Sequence, residues 1–295
     1  MSWLIKVPAT TANLGAGFDS VGVALNLYLS LKVDLSEKWR FVPLSEGMDE
    51  LPRDEGNLIY QIALQTAKQF GYLDLPACNV EMTSNIPLTR GLGSSATAII
   101  AGIELAVCLL DLNLSKEEKL EIATAIEGHP DNVAPSLLGG CVIGHYDQEV
   151  DWIHVPIHDL VFLAIIPDFE LKTKEARAVL PKSFSYKESV QASSVANVSV
   201  AAICRGDWIT LGNMMRKDHF HQPYRKKLVP HYDKIVELLD EEVYGTFLSG
   251  AGPTLIALTS KEVIERKLAD WQTIFPKLNW LPLEVENRGV ITTKL

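Results

Sequence analysis

Ten consecutive residues carry the densest chemical information in this sequence: Pro87, Leu88, Thr89, Arg90, Gly91, Leu92, Gly93, Ser94, Ser95 and Ala96. Two glycines let the backbone turn tightly and come close to a bound group. The two serines fall at N-cap positions of the apolar-periodic segment that follows, where the first amides of a helix have no internal partner. Free amides, small hydroxyls and the positive end of a helix dipole together make a phosphate cradle. This is not a Walker loop, because no lysine follows the glycines. Nor is it a dinucleotide fingerprint, because residues 91–93 lack the third glycine and open no repeating βαβ unit. The His-Arg-Asp and Asp-Phe-Gly motifs of protein kinases are absent from the chain.

The elements that must position this loop follow from periodicity. Residues 3–7, 23–33 and 78–83 read as strands, the last leading into the glycine loop. Residues 57–70 are apolar at helical spacing and stop at Gly71. After the loop, Ala96, Ile99, Ile100, Ile103, Val107 and Leu110 share one broad helical face. Ser115 caps a helix over 116–127, with Glu118 completing a capping box. In the second half, 161–166, 244–248, 254–258 and 280–285 read as strands, and 189–204, 207–215, 232–239 and 261–275 as helices. Strands and helices that mix without strict alternation argue for an α+β fold. The length suggests two domains, divided at 1–150 and 151–295.

The net charge of −10 speaks against nucleic acid or an anionic membrane as partner. An anionic substrate must then be met by local cations and amides. Cys78, Cys108, Cys141 and Cys204 stand singly, with no metal-ligand or disulfide spacing, as free thiols in a reducing compartment do. No apolar run is long enough for a membrane span, and the cytoplasm is the expected location.

The glycine segment resembles the second signature of the GHMP kinases, small-molecule kinases that include galactokinase, homoserine kinase and mevalonate kinase. Residues 7–19, Val-Pro-Ala-Thr-Thr-Ala-Asn-Leu-Gly-Ala-Gly-Phe-Asp, resemble the first signature, and residues 248–254, Leu-Ser-Gly-Ala-Gly-Pro-Thr, the third. Residues 127–135, Glu-Gly-His-Pro-Asp-Asn-Val-Ala-Pro, are similar to the homoserine kinase branch. The resemblance implies a domain like ribosomal protein S5 domain 2 followed by a ferredoxin-like domain, with the site in the cleft between them. It implies ATP-dependent phosphorylation of homoserine, and a homodimer. The alternatives are another GHMP kinase, of the mevalonate or sugar type, and a non-catalytic ligand sensor on the same scaffold.

Residue by residue, the resemblance implies that residues 87–96 wrap the ATP phosphates, with Mg²⁺ on Ser95 and Glu121. Glu127 is the competing carboxylate. Asn13 and Asp19 are expected to contact the substrate, Asp19 accepting from its ammonium or its hydroxyl. Asn132 stands where mevalonate-type members place an aspartate base, and an amide takes no proton at neutral pH. With His129 and Asp19 it makes up the expected catalytic set. Its neighbour Asp131 is expected to point elsewhere in a loop. Arg177 and Arg225 are expected to clamp a carboxylate, Thr173 to support them, and Gly250, Ala251 and Gly252 to close the site.

Overall fold

Apolar residues alternate along the first strands because one face of their sheet must be covered. In the computed structural model, which describes residues 1–295, β1 (Ser2–Asn13) and β2 (Gly17–Leu35) pair antiparallel from Ser2↔Asp34 to Asn13↔Gly17. Trp3, Ile5 and Val7 are buried and alternate with exposed Leu4 and half-exposed Lys6, and from Val7 to Asn13 every residue is buried. The register shifts between Pro8 and Ala9, where proline has no amide to give the ladder. β3 (Arg40–Pro43) follows, then α1 (Leu58–Gln69), β4 (Cys78–Ser84), α2 (Ser94–Leu110), α3 (Lys116–Glu127), α4 (Pro130–Leu138), β5 (Cys141–Asp147) and β6 (Glu149–Val155).

The second sheet contains β7 (Val161–Ile166). After it come α5 (Thr173–Ala178), α6 (Tyr186–Arg205), α7 (Trp208–Met215), α8 (Gln222–Arg225) and α9 (Tyr232–Leu239). β8 (Gly245–Leu248), β9 (Leu255–Thr259), α10 (Lys261–Ile274), β10 (Asn279–Leu283) and β11 (Ile291–Lys294) complete the chain. Its spatial order is β10-β7-β9-β8, wholly antiparallel. In order along the chain these are fourth, first, third and second, the ferredoxin-like arrangement. The first sheet runs β11-β1-β2-β4-β3, with β5 paired to β2 and β6 to β5.

β7 is buried on both faces, as its unbroken apolar run requires. Phe162, Ala164 and Ile166 join the main core with the first sheet and helices α2 and α4. Leu163 and Ile165 enter a smaller core with Ile235, Leu239, Trp271 and Trp280. One apolar core therefore runs through both halves.

Three sequence expectations change. Residue 150 lies inside β6, which pairs with β5 over its full length, so a division at 150 cuts a hairpin. The change of sheet falls between Val155 and Val161, and β11 returns to pair with β1. Ser94 and Ser95 are not caps. Gly93, at φ 71°, is the N-cap residue of α2, and the serines are its first helical residues. Asp131 belongs to α4 rather than to a loop, because Pro130 fits the first turn of a helix, where no amide is needed.

Candidate active site

Four segments distant in sequence are knitted together by main-chain and hydroxyl bonds. The Thr10 amide donates to Leu92 O (3.3 Å), and the Gly250 amide to Ala12 O (3.2 Å). Ser249 Oγ donates to Gly91 O (2.5 Å), which leaves the Thr11 hydroxyl to donate to Ser249 Oγ (2.7 Å). Leu171 N–H reaches Thr89 O at 3.4 Å. An added Cβ at Gly91 would overlap the Ser249 carbonyl, and one at Gly93 would overlap Thr10 Oγ1. Both glycines also hold a positive φ, so the loop needs them for conformation and for space.

The loop opens onto α2 with its first amides free, since the first bond of the helix runs from Thr97 N–H to Gly93 O. Ser95 is exposed beside it. Leu92 and Ala96 point into the core, so they give the loop only their backbone. Arg90 is turned aside, donating to Pro167 O and Leu88 O and pairing with Glu170. An apolar pocket next to the loop is walled by Met48, Leu51, Leu58, Ile59, Met82, Ile86 and Leu88, and it reaches Thr89, Ser94 and Ser95.

A second, polar pocket lies beyond Thr10. It is lined by Asn13, Asp19, Glu127, His129, Asp131, Asn132, Thr173, Arg177, Arg225, Gly250 and Ala251. Seven of the eight expected substrate residues thus converge. The eighth, Gly252, does not: it is buried against Leu248, while Gly250 and Ala251, expected beside it, do line the pocket. Thr10 Oγ1 joins the two regions, donating to Asn132 Oδ1 at 2.9 Å. The Asn132 amide in turn donates to Asp131 Oδ1 at 3.1 Å.

Asn13, the last residue of β1, and Asp19, the third of β2, both sit at positive φ on either side of the turn that joins the strands, a conformation asparagine and aspartate tolerate better than most residues. Asn13 Oδ1 accepts from the Asp19 amide, and its Nδ2 donates to Gly250 O at 3.0 Å. Asp19 is gripped by Arg177 through two parallel bonds. Arg225 is buried, donating from Nε to Ala176 O (3.1 Å) and from Nη1 to Gly250 O (2.9 Å), with no carboxylate partner. Burial, and then repulsion from Arg177, pull its pKa down to about 10 against the pull of Asp19, Asp131 and Asp218. It remains charged at neutral pH.

Asp131 is buried and holds His129 Nδ1 at 2.5 Å. Burial works against a charged His129. The bond to Asp131 and the charges of Asp131, Asp19 and Glu127 outweigh it and raise its pKa. Glu127, at the C-terminal end of α3, is also raised, by burial first and then by Asp131, against the pull of His129 and Arg177. Glu121 is exposed on α3, outside both linings. Lys119, two residues before it, bonds buried Glu104 of α2 at 2.6 Å and ties the two helices together.

Sequence reasoning passed over Thr10, Phe18 and the apolar pocket, and it misdirected Asp131. The first two lie within the N-terminal signature. Phe18 is the platform beneath the cations. The Arg225 guanidinium lies 5.1 Å and that of Arg177 5.6 Å from its ring centre, and His221 stacks on it at 5.4 Å.

A phosphate cradle one hydrogen bond from a polar, cation-bearing pocket, on an α+β frame with a ferredoxin-like second sheet, defines a small-molecule kinase. Residues 57–140 match the model of the GHMP kinases N terminal domain, and 199–277 that of the GHMP kinases C terminal domain. A homoserine kinase of Halalkalibacterium halodurans is 47% identical over 97% of this chain and 93% of its own length. One of Shouchella clausii is 49% identical over 88% of each. The crystal structure of homoserine kinase from Cytophaga hutchinsonii superposes with a TM-score of 0.87 at 29% identity, covering 99% of this chain and 97% of its own. The chain belongs to the GHMP kinase family. As a kinase of this family it takes its phosphoryl group from ATP and passes it to an alcohol.

Proposed function

We propose that this enzyme phosphorylates the side-chain hydroxyl of L-homoserine to give O-phospho-L-homoserine, a step of threonine biosynthesis. The observation that carries the reading is Arg225, a buried guanidinium without an anion, in a pocket one hydrogen bond from the glycine cradle. A buried, unpaired charge is costly unless a ligand answers it, and a free amino acid brings a carboxylate. Homoserine kinases among the relatives lend it further support.

In this reading the amides opening α2 hold the ATP phosphates, and the apolar walls next to the loop hold its base. Ser95 and Glu121 offer only oxygen, which suits Mg²⁺. Both are exposed, with the Ser95 hydroxyl and the Glu121 carboxylate unbonded within the protein; Ser95 borders the pocket beside the glycine loop and Glu121 lies outside it, so the support for this pair is the family resemblance. When bound, the ion would neutralise phosphate charge. Asn132, oriented by Thr10, presents its amide to the substrate hydroxyl. Asn13 and Asp19 stand on the ammonium side. Arg225, with Arg177 and Thr173 beside it, takes the carboxylate, and Gly250 and Ala251 close the pocket.

Asp131 is occupied by His129 and Asn132, so in this reading it does not act as base. A loose phosphoryl transition state lets the hydroxyl proton leave late, and positioning with charge neutralisation does the work. A homodimer in the cytoplasm belongs to the same reading. The exposed side chains of Tyr186, Val190 and Val198 on α6 offer surface for the former, and four free thiols suit the latter. No helix is long and apolar enough to cross a membrane.

ATP consumption measured against homoserine, mevalonate and galactose tests the proposal. Homoserine should be the strongly preferred acceptor. Preference for either of the others would sink the substrate assignment. ATP binding without turnover on any of them would favour a ligand sensor.

A further inference from the structure

Three carboxylates and three cationic groups line the polar pocket: Asp19, Glu127 and Asp131 with His129, Arg177 and Arg225. Four of them are already paired. Arg177 holds Asp19 through two bonds, and His129 is bonded to Asp131. The two left over have opposite signs. Arg225 donates only to main-chain carbonyls. Glu127 is the one carboxylate in the pocket with neither a hydrogen bond nor an ion pair, although it is half-buried.

One unpaired cation and one unpaired anion facing the same space complement a molecule that carries both charges. We propose that Glu127 is a specificity-determining residue that receives the α-ammonium of the acceptor, alongside Asp19, while Arg225 receives its carboxylate. This rests on the homoserine reading and deepens it. Asp19 alone is a weak ammonium partner, because the Arg177 fork already neutralises its charge. Glu127 supplies a negative charge that no hydrogen bond or ion pair in the protein engages. Its pKa is raised by burial, as befits a carboxylate whose counter-cation arrives with the substrate. The pocket would thus select an amino acid over the hydroxy acid of the same length.

The test is steady-state phosphorylation of L-homoserine and of 4-hydroxybutyrate, which is homoserine without its amino group, by the wild-type enzyme and by Glu127→Gln. For homoserine the variant should raise KM about tenfold or more with kcat within about threefold. For 4-hydroxybutyrate kcat/KM should hold or rise, so the preference for the aminated acceptor collapses. A wild-type KM and undiminished preference in Glu127→Gln would overturn the proposal. So would an equal loss on both acceptors, since that loss is not tied to the ammonium. Glu127 makes no side-chain bond in the fold and burial works against its charge, so Glu127→Gln and Glu127→Ala should both melt no lower than wild type. Collapse of both would make Glu127 structural and also overturn it. A wild-type enzyme inert towards homoserine would take down the substrate reading and this assignment together, and the wild-type rates alone tell that failure apart.

Discussion

Arg177 and Asp19 meet in a two-point fork, Nη1 to Oδ2 at 3.1 Å and Nη2 to Oδ1 at 2.8 Å, across 158 residues of sequence. The side chains are 38% and 32% exposed, so solvent screens the pair and its worth to stability is about 0.2–1 kcal/mol. In the proposed reading its main consequence is functional. The fork sets the direction of both groups before substrate arrives and closes one wall of the pocket between α5 and the β1–β2 turn. Asp19→Asn should lower the melting temperature only slightly, yet raise the homoserine KM about tenfold or more, because an ammonium partner and an arginine orienter go together. A large fall in melting temperature with unchanged KM would make the fork purely structural.

His129 gives the site a pH dependence of definite sign. Its folded pKa lies above the unfolded value. The stabilisation it contributes is therefore complete below about pH 6.5 and lost as pH rises through the higher folded value. The difference in melting temperature between wild type and His129→Gln should shrink from pH 6 to pH 9. Glu127, whose raised pKa acts in the same direction, is present in both proteins, and its attraction to His129 fades over the same pH range as His129 loses its charge. A constant difference would mean that His129 is uncharged in the fold.

Asn132→Asp would place a carboxylate against Asp131, whose Oδ1 now receives the Asn132 amide. Two like charges would face each other beside a residue only 2% exposed, close to where phosphate charge develops. Activity should fall at least about a hundredfold, and stability should recover as pH is lowered and the new carboxyl group takes a proton. Activity retained at neutral pH would show that this position tolerates, or uses, a base.

Gly93→Ala tests the cradle. The new Cβ would meet Thr10 Oγ1 in a backbone conformation that L-residues avoid. Nucleotide affinity, read by titration calorimetry, should drop, and homoserine KM should rise with it, since Thr10 also holds Asn132. Loss of nucleotide affinity alone would uncouple the two pockets.

Glu121→Gln addresses the metal. A neutral amide is a poorer ligand for a hard cation, so the Mg²⁺ concentration for half-maximal activity should rise severalfold, as should that for Mn²⁺ binding followed by magnetic resonance with ATP present. Were Glu127→Gln alone to produce that shift, Glu127 would be the metal's carboxylate.

What the sequence disclosed was local or strongly periodic. The capping box of Ser115 and Glu118 needs only residues three apart, and the β7 run is apolar enough to announce a strand buried on both faces. Motif residues converged because each motif carries its own turn. Relationships between distant segments stayed hidden. Nothing near Asp19 says that Arg177 will hold it, and nothing in residues 127–132 says which carboxylates will be spoken for. β6 was missed because only Val150, Trp152 and Val155 pack inward, and their partners lie across a hairpin. Asp131 was misdirected because a proline reads as loop until its place in the first turn of α4 is seen.

The pairing of β11 with β1 brings the Leu295 amide to Ser2 O at 2.9 Å. During synthesis β11 emerges after every strand of the second sheet. The first sheet, which carries the glycine loop on its helices, is thus left with an open edge along β1 for most of translation. Folding of the nucleotide-binding half should wait on the C-terminal strand, and nascent chains stalled before it should expose a strand edge that invites association with neighbours or capture by a chaperone.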